Sequence, residues 1–409
     1  MPQSPAISAP GSVAQLLAAM VRIPTVNSAV SGDAAAEAPL VQYNERLAQS
    51  LGFRTRRLPV AGRAPNLLVS FEVDTAGPWV LFESHMDTVS TAGMSIDPEG
   101  AQVRAGRLYG RGACDTKGSG AAMLWALGAY AQGRDRPNNV AILFTIDEEV
   151  QMSGVRSFIE NDFPVLGFRP AGVIVGEPTG LRAITAHNGV VRWAIQTEGI
   201  AAHSSTPARG VSAISKMVKV VEAIESRYIP ALDRAHPLTG RAQCSINLIR
   251  GGTQINIVPS QCRIELDRRI VPGEDPDAVL PHVQSILDDL RARDPDLKVK
   301  QELSFTAPPL APPGSPPGSG RLLGAAVQGV LRGLGLEDEP AGATYATDAG
   351  DLARLGVPVV VLGPGDIAQA HTHDEWIALD QLDQGVDVYR ALMQSPIAHG
   401  DSGVPSNAG

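Results

Sequence analysis

Acids and histidines gather after short apolar runs in this sequence. His85 and Asp87 follow "VLFES", and Asp147, Glu148 and Glu149 follow "AILFTI". Glu177 follows "VIVG", while His371 and His373 stand in "AQAHTHDEW", just past "VPVVVLGPG". Asp115 joins them in the Gly-rich "YGRGACDTKGSG". Imidazoles and carboxylates without a thiolate suit borderline divalent metals such as zinc, cobalt or manganese. A pair of such ions about 3.5–4 Å apart needs a bridging carboxylate and terminal ligands for each. These residues supply a bridge, two His and two Glu, and leave one Glu over. A spare Glu beside a ligand Glu can take a proton from a water and deliver it to a leaving amine, which is hydrolytic chemistry.

Taken singly, each residue has an ordinary reading. Asp115 could cap the helix that follows it. The "DEE" run could be acids at a helix start. Glu177 before Pro178 could be a turn residue. His85 and Asp87 are two apart, so on a strand their side chains point the same way. The metal reading gains force only because all of these residues fall at one edge of one expected sheet.

That sheet must come from the apolar runs. "NLLVSFEV" (66–73), "PWVLFES" (78–84), "VAILFTI" (140–146) and "AGVIVG" (171–176) read as buried strands, and "VPVVVLGPG" (357–365) repeats the texture. "TKGSGAAMLWALGAYAQ" (116–132) reads as a helix between two of them. Continuous apolar strands alternating with helices predict an α/β layer with a mostly parallel mixed sheet flanked by helices. In such sheets ligands bind at the carboxyl ends of the strands.

The middle of the chain differs. "GVVRWAIQTEG", "AQCSINLIRGG", "SQCRIELDRRIV" and "LKVKQELSF" read as strands, with helices at "GVSAISKMVKVVEAIESR" and "DPDAVLPHVQSILDDLRAR". The order β-α-β-β-α-β is ferredoxin-like. The expected organisation is a catalytic domain of residues 1–186 and 306–409, interrupted by an inserted lid or dimerisation domain over 187–305. "APPLAPPGSPPGSG" (307–320) reads as a semi-rigid linker, and the tail after Ser395 as loose.

The length of 409 residues suits two domains. Lys+Arg total 34 against 43 Asp+Glu, and 34 − 43 gives −9, so neither nucleic acid nor an anionic membrane is an expected partner. Three cysteines argue against a disulfide framework and fit a reducing compartment. The opening residues carry no basic leader pattern, and no segment reaches the ~18 apolar residues of a membrane span, so the expected address is the cytoplasm.

The segments "SHMDTV", "YGRGACDTKG", "TIDEEV", "VGEPTG", "HSSTPARGVSAI", "GGTQINIVP", "LDRRIVPGE" and "LGPGDIAQAHTHDEW" occur in one order from near residue 80 to near residue 376. Together they resemble the di-zinc amidohydrolase and exopeptidase family of acetylornithine deacetylase, succinyl-diaminopimelate desuccinylase, the glutamate carboxypeptidases and the aminoacylases. "VGEPTGLRAITAHNG" and "LGPGDIAQAHTHDEW" are most similar to the acetylornithine deacetylase branch, an activity of amino-acid biosynthesis. The resemblance implies that His85, Asp115 and Glu177 hold one metal. It assigns Asp115, Glu149 and His371 to the other, with Asp115 bridging and zinc the expected ion. It further implies Glu148 as general base, Asp87 behind the far ring nitrogen of His85, and a cis Asp115–Thr116 bond. The family ligand directly follows an alanine, which selects His371 over His373.

In the insert, the resemblance implies that His203 supports the oxyanion, in dimeric relatives often from the other subunit. Asn256 and Arg269 match positions that hold the substrate α-carboxylate, a task suited to the guanidinium fork. Strand alternation sends the adjacent Arg268 to the opposite face. A ferredoxin-like edge and an apolar helix face favour a homodimer. The implied substrate is a small N-acyl amino acid or short peptide, with acetylornithine first, succinyl-diaminopimelate next, and dipeptidase or carboxypeptidase specificity third. Two other classes fit less well. A catalytically silent binder would lack a ligand or the base, and "YGRGACDTKGSG" lacks the spacing of a phosphate loop.

Overall fold

A computed structural model describes residues 10–311 and 319–396. The chain forms two compact units, one of 1–185, 313–341 and 351–409, the other of 186–312 and 342–350. Residues 312–318 of the Pro/Gly linker and the tail beyond 396 lie outside the described residues.

The main sheet has eight strands. In chain order they are β1 (Arg54–Leu58), β2 (Asn66–Phe71), β3 (Trp79–His85), β4 (Asn139–Thr145), β5 (Pro170–Val175) and β6 (Ile184–His187). The insert contributes β7 (Gly189–Glu198), β8 (Gln243–Gly251), β9 (Gln261–Ile270) and β10 (Lys298–Ala307), and the main sheet is completed by β11 (Ala341–Ala343) and β12 (Val359–Val361). The spatial order of the main sheet is β1-β2-β4-β3-β5-β12-β6-β11. Its four central strands, β4, β3, β5 and β12, run parallel; β2 pairs antiparallel with β4, β1 antiparallel with β2, and β6 antiparallel with β12. Central parallel strands are covered on both faces, which is why every residue of β4 is buried. The polar strand β1, "RTRRL", is mostly exposed and carried no apolar signal in the sequence.

Among the helices are α1 (Val13–Val21), α2 (Ala38–Ser50), α3 (Lys117–Gln132), α4 (Ala213–Ala223), α5 (Val279–Arg293) and α6 (Leu379–Gln394). Helix α3 packs on β3, α1 and α6. Its start is glycine-rich because it has no room for side chains. A Cβ on Gly118 would fall 2.6 Å from the Ala113 carbonyl, and one on Gly120 3.0 Å from the Phe144 ring. That close approach presses the loop carrying Asp115 against the ends of β3 and β4. Phe82, Phe144 and Tyr389 are buried in the same core, each worth about 1.5–3 kcal/mol against exposure.

The second unit has the ferredoxin-like order, with an antiparallel sheet β8-β9-β7-β10. Strand β9 alternates buried and half-buried positions. Its buried side, with Ile264 and Leu266, meets Met217 and Val220 of α4 and Val283 and Leu287 of α5. The segment 342–350, expected in the first domain, packs with the second unit. A Cβ on Gly342 would lie 2.3 Å from the Leu238 carbonyl, and one on Gly350 2.1 Å from that of Pro308. Nothing in a local apolar pattern announces such a return. No helix among the described residues is long and apolar enough to cross a membrane.

Candidate metal centre

The parallel register places the ends of three strands side by side. His85, the last residue of β3, pairs with Thr145 of β4, and Glu83 pairs with Val175 of β5. The residues just beyond β4 and β5 are the Asp147–Glu149 run and Glu177. Asp115 reaches them from the loop before α3, across a cis Asp115–Thr116 bond.

Asp115 stands between the two histidines. Its Oδ1 lies 3.1 Å from His85 Nε2, and its Oδ2 lies 3.2 Å from His371 Nε2. The remaining carboxylates divide between the same two rings. Glu177 Oε1 is 3.9 Å from His85 Nε2, and Glu149 Oε1 is 3.2 Å from His371 Nε2. Ligand atoms of His85, Asp115 and Glu149 all fall within 4.8 Å of one another. The side chains thus sort into the groups His85/Asp115/Glu177 and His371/Asp115/Glu149, sharing Asp115. His373 is exposed, and its carbonyl accepts from the Ser95 N–H at 2.8 Å.

The electrostatics call for cations. Burial and the neighbouring charges of Glu177, Glu149 and Asp87 hold the Glu148 carboxyl well above its usual range, against a pull from His85. Burial does the same to Glu177, helped by Asp115. Burial would raise Asp115 too, but hydrogen bonds from both histidines outweigh it and depress its pKa. His371 is pushed up to about 10, chiefly by its hydrogen bonds to Asp115 and Glu149. His85 is raised despite burial by Asp115 and Asp87. Several acids crowded beside two imidazoles are a place where added positive charge would be stabilising. The donor set is nitrogen and oxygen without sulfur, and it fits two borderline divalent ions.

Asp87 does less for His85, and more elsewhere, than the spacing suggests. The His85 Nδ1 lies 3.0 Å from the Asp87 backbone carbonyl but 3.6 Å from its carboxylate, the latter beyond hydrogen-bond length. Asp87 Oδ1 accepts the Glu148 N–H at 3.0 Å, and Oδ2 accepts the Glu149 N–H at 3.1 Å. The carboxylate therefore holds the backbone of the acid pair, while the main chain fixes the ring. Met86 faces away into the core, as alternation requires.

Several residues around the centre gave little sign in the sequence. Glu375 Oε1 accepts the N–H groups of Cys114 and Asp115 at 2.9 and 3.0 Å, and its Oε2 pairs with Arg111 at 2.7 Å. Asp147 pairs with Arg63 at 3.2 Å and accepts from Ser153 at 2.6 Å. The "DEE" run hinted at Asp147, and "HDEW" at Glu375. Nothing local marked Arg63 or Asn27.

Within the insert, His203 is exposed, and its Nδ1 accepts the Ser205 N–H at 3.1 Å. The neighbouring loops pair, with a bridge from His203 to Ile257 and a Ser204 N–H donating to the Asn256 carbonyl at 3.0 Å. Asn256 is exposed. Arg269 lies along Asp267, Nε to Oδ1 at 2.7 Å. Arg268 turns to the other face, buried, with Glu274 at 2.7 Å.

The Peptidase family M20/M25/M40 pattern matches residues 81–395. The chain belongs to this family. An acetylornithine deacetylase from Vibrio atlanticus is 30% identical over 352 residues, covering 84% of this chain and 88% of the relative. An M20 family metallo-carboxypeptidase from Sulfolobus solfataricus shares the fold at a TM-score of 0.75 and 17% identity, over 95% of this chain and all of that one. A dinuclear metal-binding M20 peptidase from Bacillus subtilis does so at 0.67 and 15%, over 93% and 96%. This M20 chain is a metal-dependent hydrolase of linear amides, similar to acetylornithine deacetylases.

Proposed function

We propose that the chain removes the acetyl group of N-acetylornithine, yielding ornithine and acetate. The observation that carries the reading is Asp115, shared between two histidine–glutamate groups beside a Glu148 that none of them uses. The likeness to acetylornithine deacetylases selects the substrate. His85, Asp115 and Glu177 would hold one zinc ion, and Asp115, Glu149 and His371 the other. When bound, the ions polarise the amide carbonyl and acidify the attacking water.

The chain's own groups do the rest. Glu148 takes the water proton on a carboxylate oxygen and passes it to the departing amine nitrogen. Burial and the neighbouring carboxylates raise its pKa above the ordinary value, which strengthens it as a proton acceptor. His203 stabilises the oxyanion: Nδ1 accepts the Ser205 N–H, which leaves Nε2 as the ring's donor. Arg269 and Asn256 take the substrate carboxylate, Arg269 exchanging Asp267 for it.

The protein works as a cytoplasmic homodimer in this reading. The edge strand β8 exposes Leu248 and Ile249, and α4 exposes Ile214 and Val218, an apolar surface that supports pairing. Cys114, Cys244 and Cys262 are all free thiols, in keeping with a reducing compartment.

The deciding experiment is amine release from acetylornithine, succinyl-diaminopimelate and several dipeptides, with zinc or cobalt supplied. Acetylornithine should give the highest kcat/KM. A preference for the succinyl substrate or a dipeptide would overturn the assignment while leaving the hydrolase in place.

A further inference from the structure

Asn27 is fully buried behind the acid run, and each polar atom of its side chain has a partner. Its Oδ1 accepts the Ala29 N–H at 2.9 Å, capping the short helix Ser28–Ser31. That contact fixes which way the amide faces, so both Nδ2 hydrogens point the other way. They donate to Asp87 Oδ2 at 2.7 Å and to Asp147 Oδ1 at 2.9 Å. One side chain thus joins the loop after β3 to the loop after β4.

Both loops matter to the acid pair. Asp87 accepts the Glu148 and Glu149 N–H groups. Asp147, directly before them, sits at φ 61°, a left-handed conformation that non-glycine residues seldom adopt and that neighbouring contacts must enforce. Asn27, Arg63 and Ser153 supply those contacts. A side chain lacking two N–H donors at position 27 would leave two buried carboxylates facing one another with the amide's share of their compensation gone.

We infer that Asn27 is a positioning residue for the hydrolysis: it clamps Asp87 to Asp147 and so holds the turn that aims Glu148. The inference rests on Glu148 being the general base of the proposed reaction. Asn27→Asp keeps the shape and the helix cap but replaces both donors with a charge. Asn27→Ala removes cap and donors together, and serves should the first variant not fold.

The test compares these variants with the zinc-loaded full chain. In both, kcat on acetylornithine should fall roughly 10–100-fold, the range for groups supporting a metal site, with KM nearly unchanged and both metals retained. Hydrogen exchange of the peptide spanning 146–152 should speed up, reporting release of the Glu148 and Glu149 amides without any substrate. Wild-type kcat, a loss confined to KM, or unchanged exchange would overturn the inference. If the wild type does not cleave acetylornithine, the substrate reading fails, and the exchange comparison still decides the role of Asn27.

Discussion

Asp87 accepts the backbone N–H of Glu148 at 3.0 Å. This contact ties the residue proposed to buttress a ligand histidine to the residue proposed as base. Burial opposes ionisation of Asp87, yet the nearby His85 ring and hydrogen bonds from Asn27 and Glu148 keep its carboxyl below the usual range. It is therefore a fixed anion aimed at the amides of the acid pair.

Asp87→Asn should accordingly lower kcat by roughly 10–100-fold with both metals retained. Elemental analysis beside steady-state kinetics checks this. Loss of one metal per chain, with activity scaling to the metal left, would show that Asp87 serves His85 instead.

Glu148→Gln keeps the shape and removes the proton acceptor. The variant should bind two metals and lose at least ~10²–10⁴-fold in kcat. Near-normal turnover would remove Glu148 from the mechanism.

His371 and His373 are two residues apart but differently placed. Of the two, it is His371 that approaches Asp115 and Glu149, at 3.2 Å to each. His371→Ala should reduce metal content toward one ion per chain, and His373→Ala should leave it at two. The reverse pattern in elemental analysis would transfer the ligand role to His373.

Metal uptake should release protons. His371 in the metal-free protein is pushed up to about 10, so it is charged at neutral pH, whereas a ligand imidazole is neutral. The sign follows from a folded pKa above the unfolded one. The charged ring stabilises the apoprotein fully below the unfolded value of about 6.5. That contribution is lost as pH rises through about 10. Zinc affinity should therefore climb with pH across this window, and an indicator dye in weak buffer should record acid release on zinc addition to chelated protein. His371→Ala should release less.

The sequence by itself determined the strand ends, the acids and histidines that gather there and the helix behind them. Those depend on periodicity and on glycine spacing, which are local. The buried run of β4 and the glycine-rich approach to α3 were readable for that reason. Alternation along β9 likewise separated Arg268 from Arg269. Only the tertiary structure decided which oxygen of Asp115 faces which ring, and that the Asp87 carboxylate serves the Glu148 backbone. It also decided that Arg269 rests on Asp267 and that 342–350 packs with the second unit. Asn27 is the clearest case. It meets Asp147 from 120 residues away, and its value depends on where two other loops end, which no window of neighbouring residues can encode.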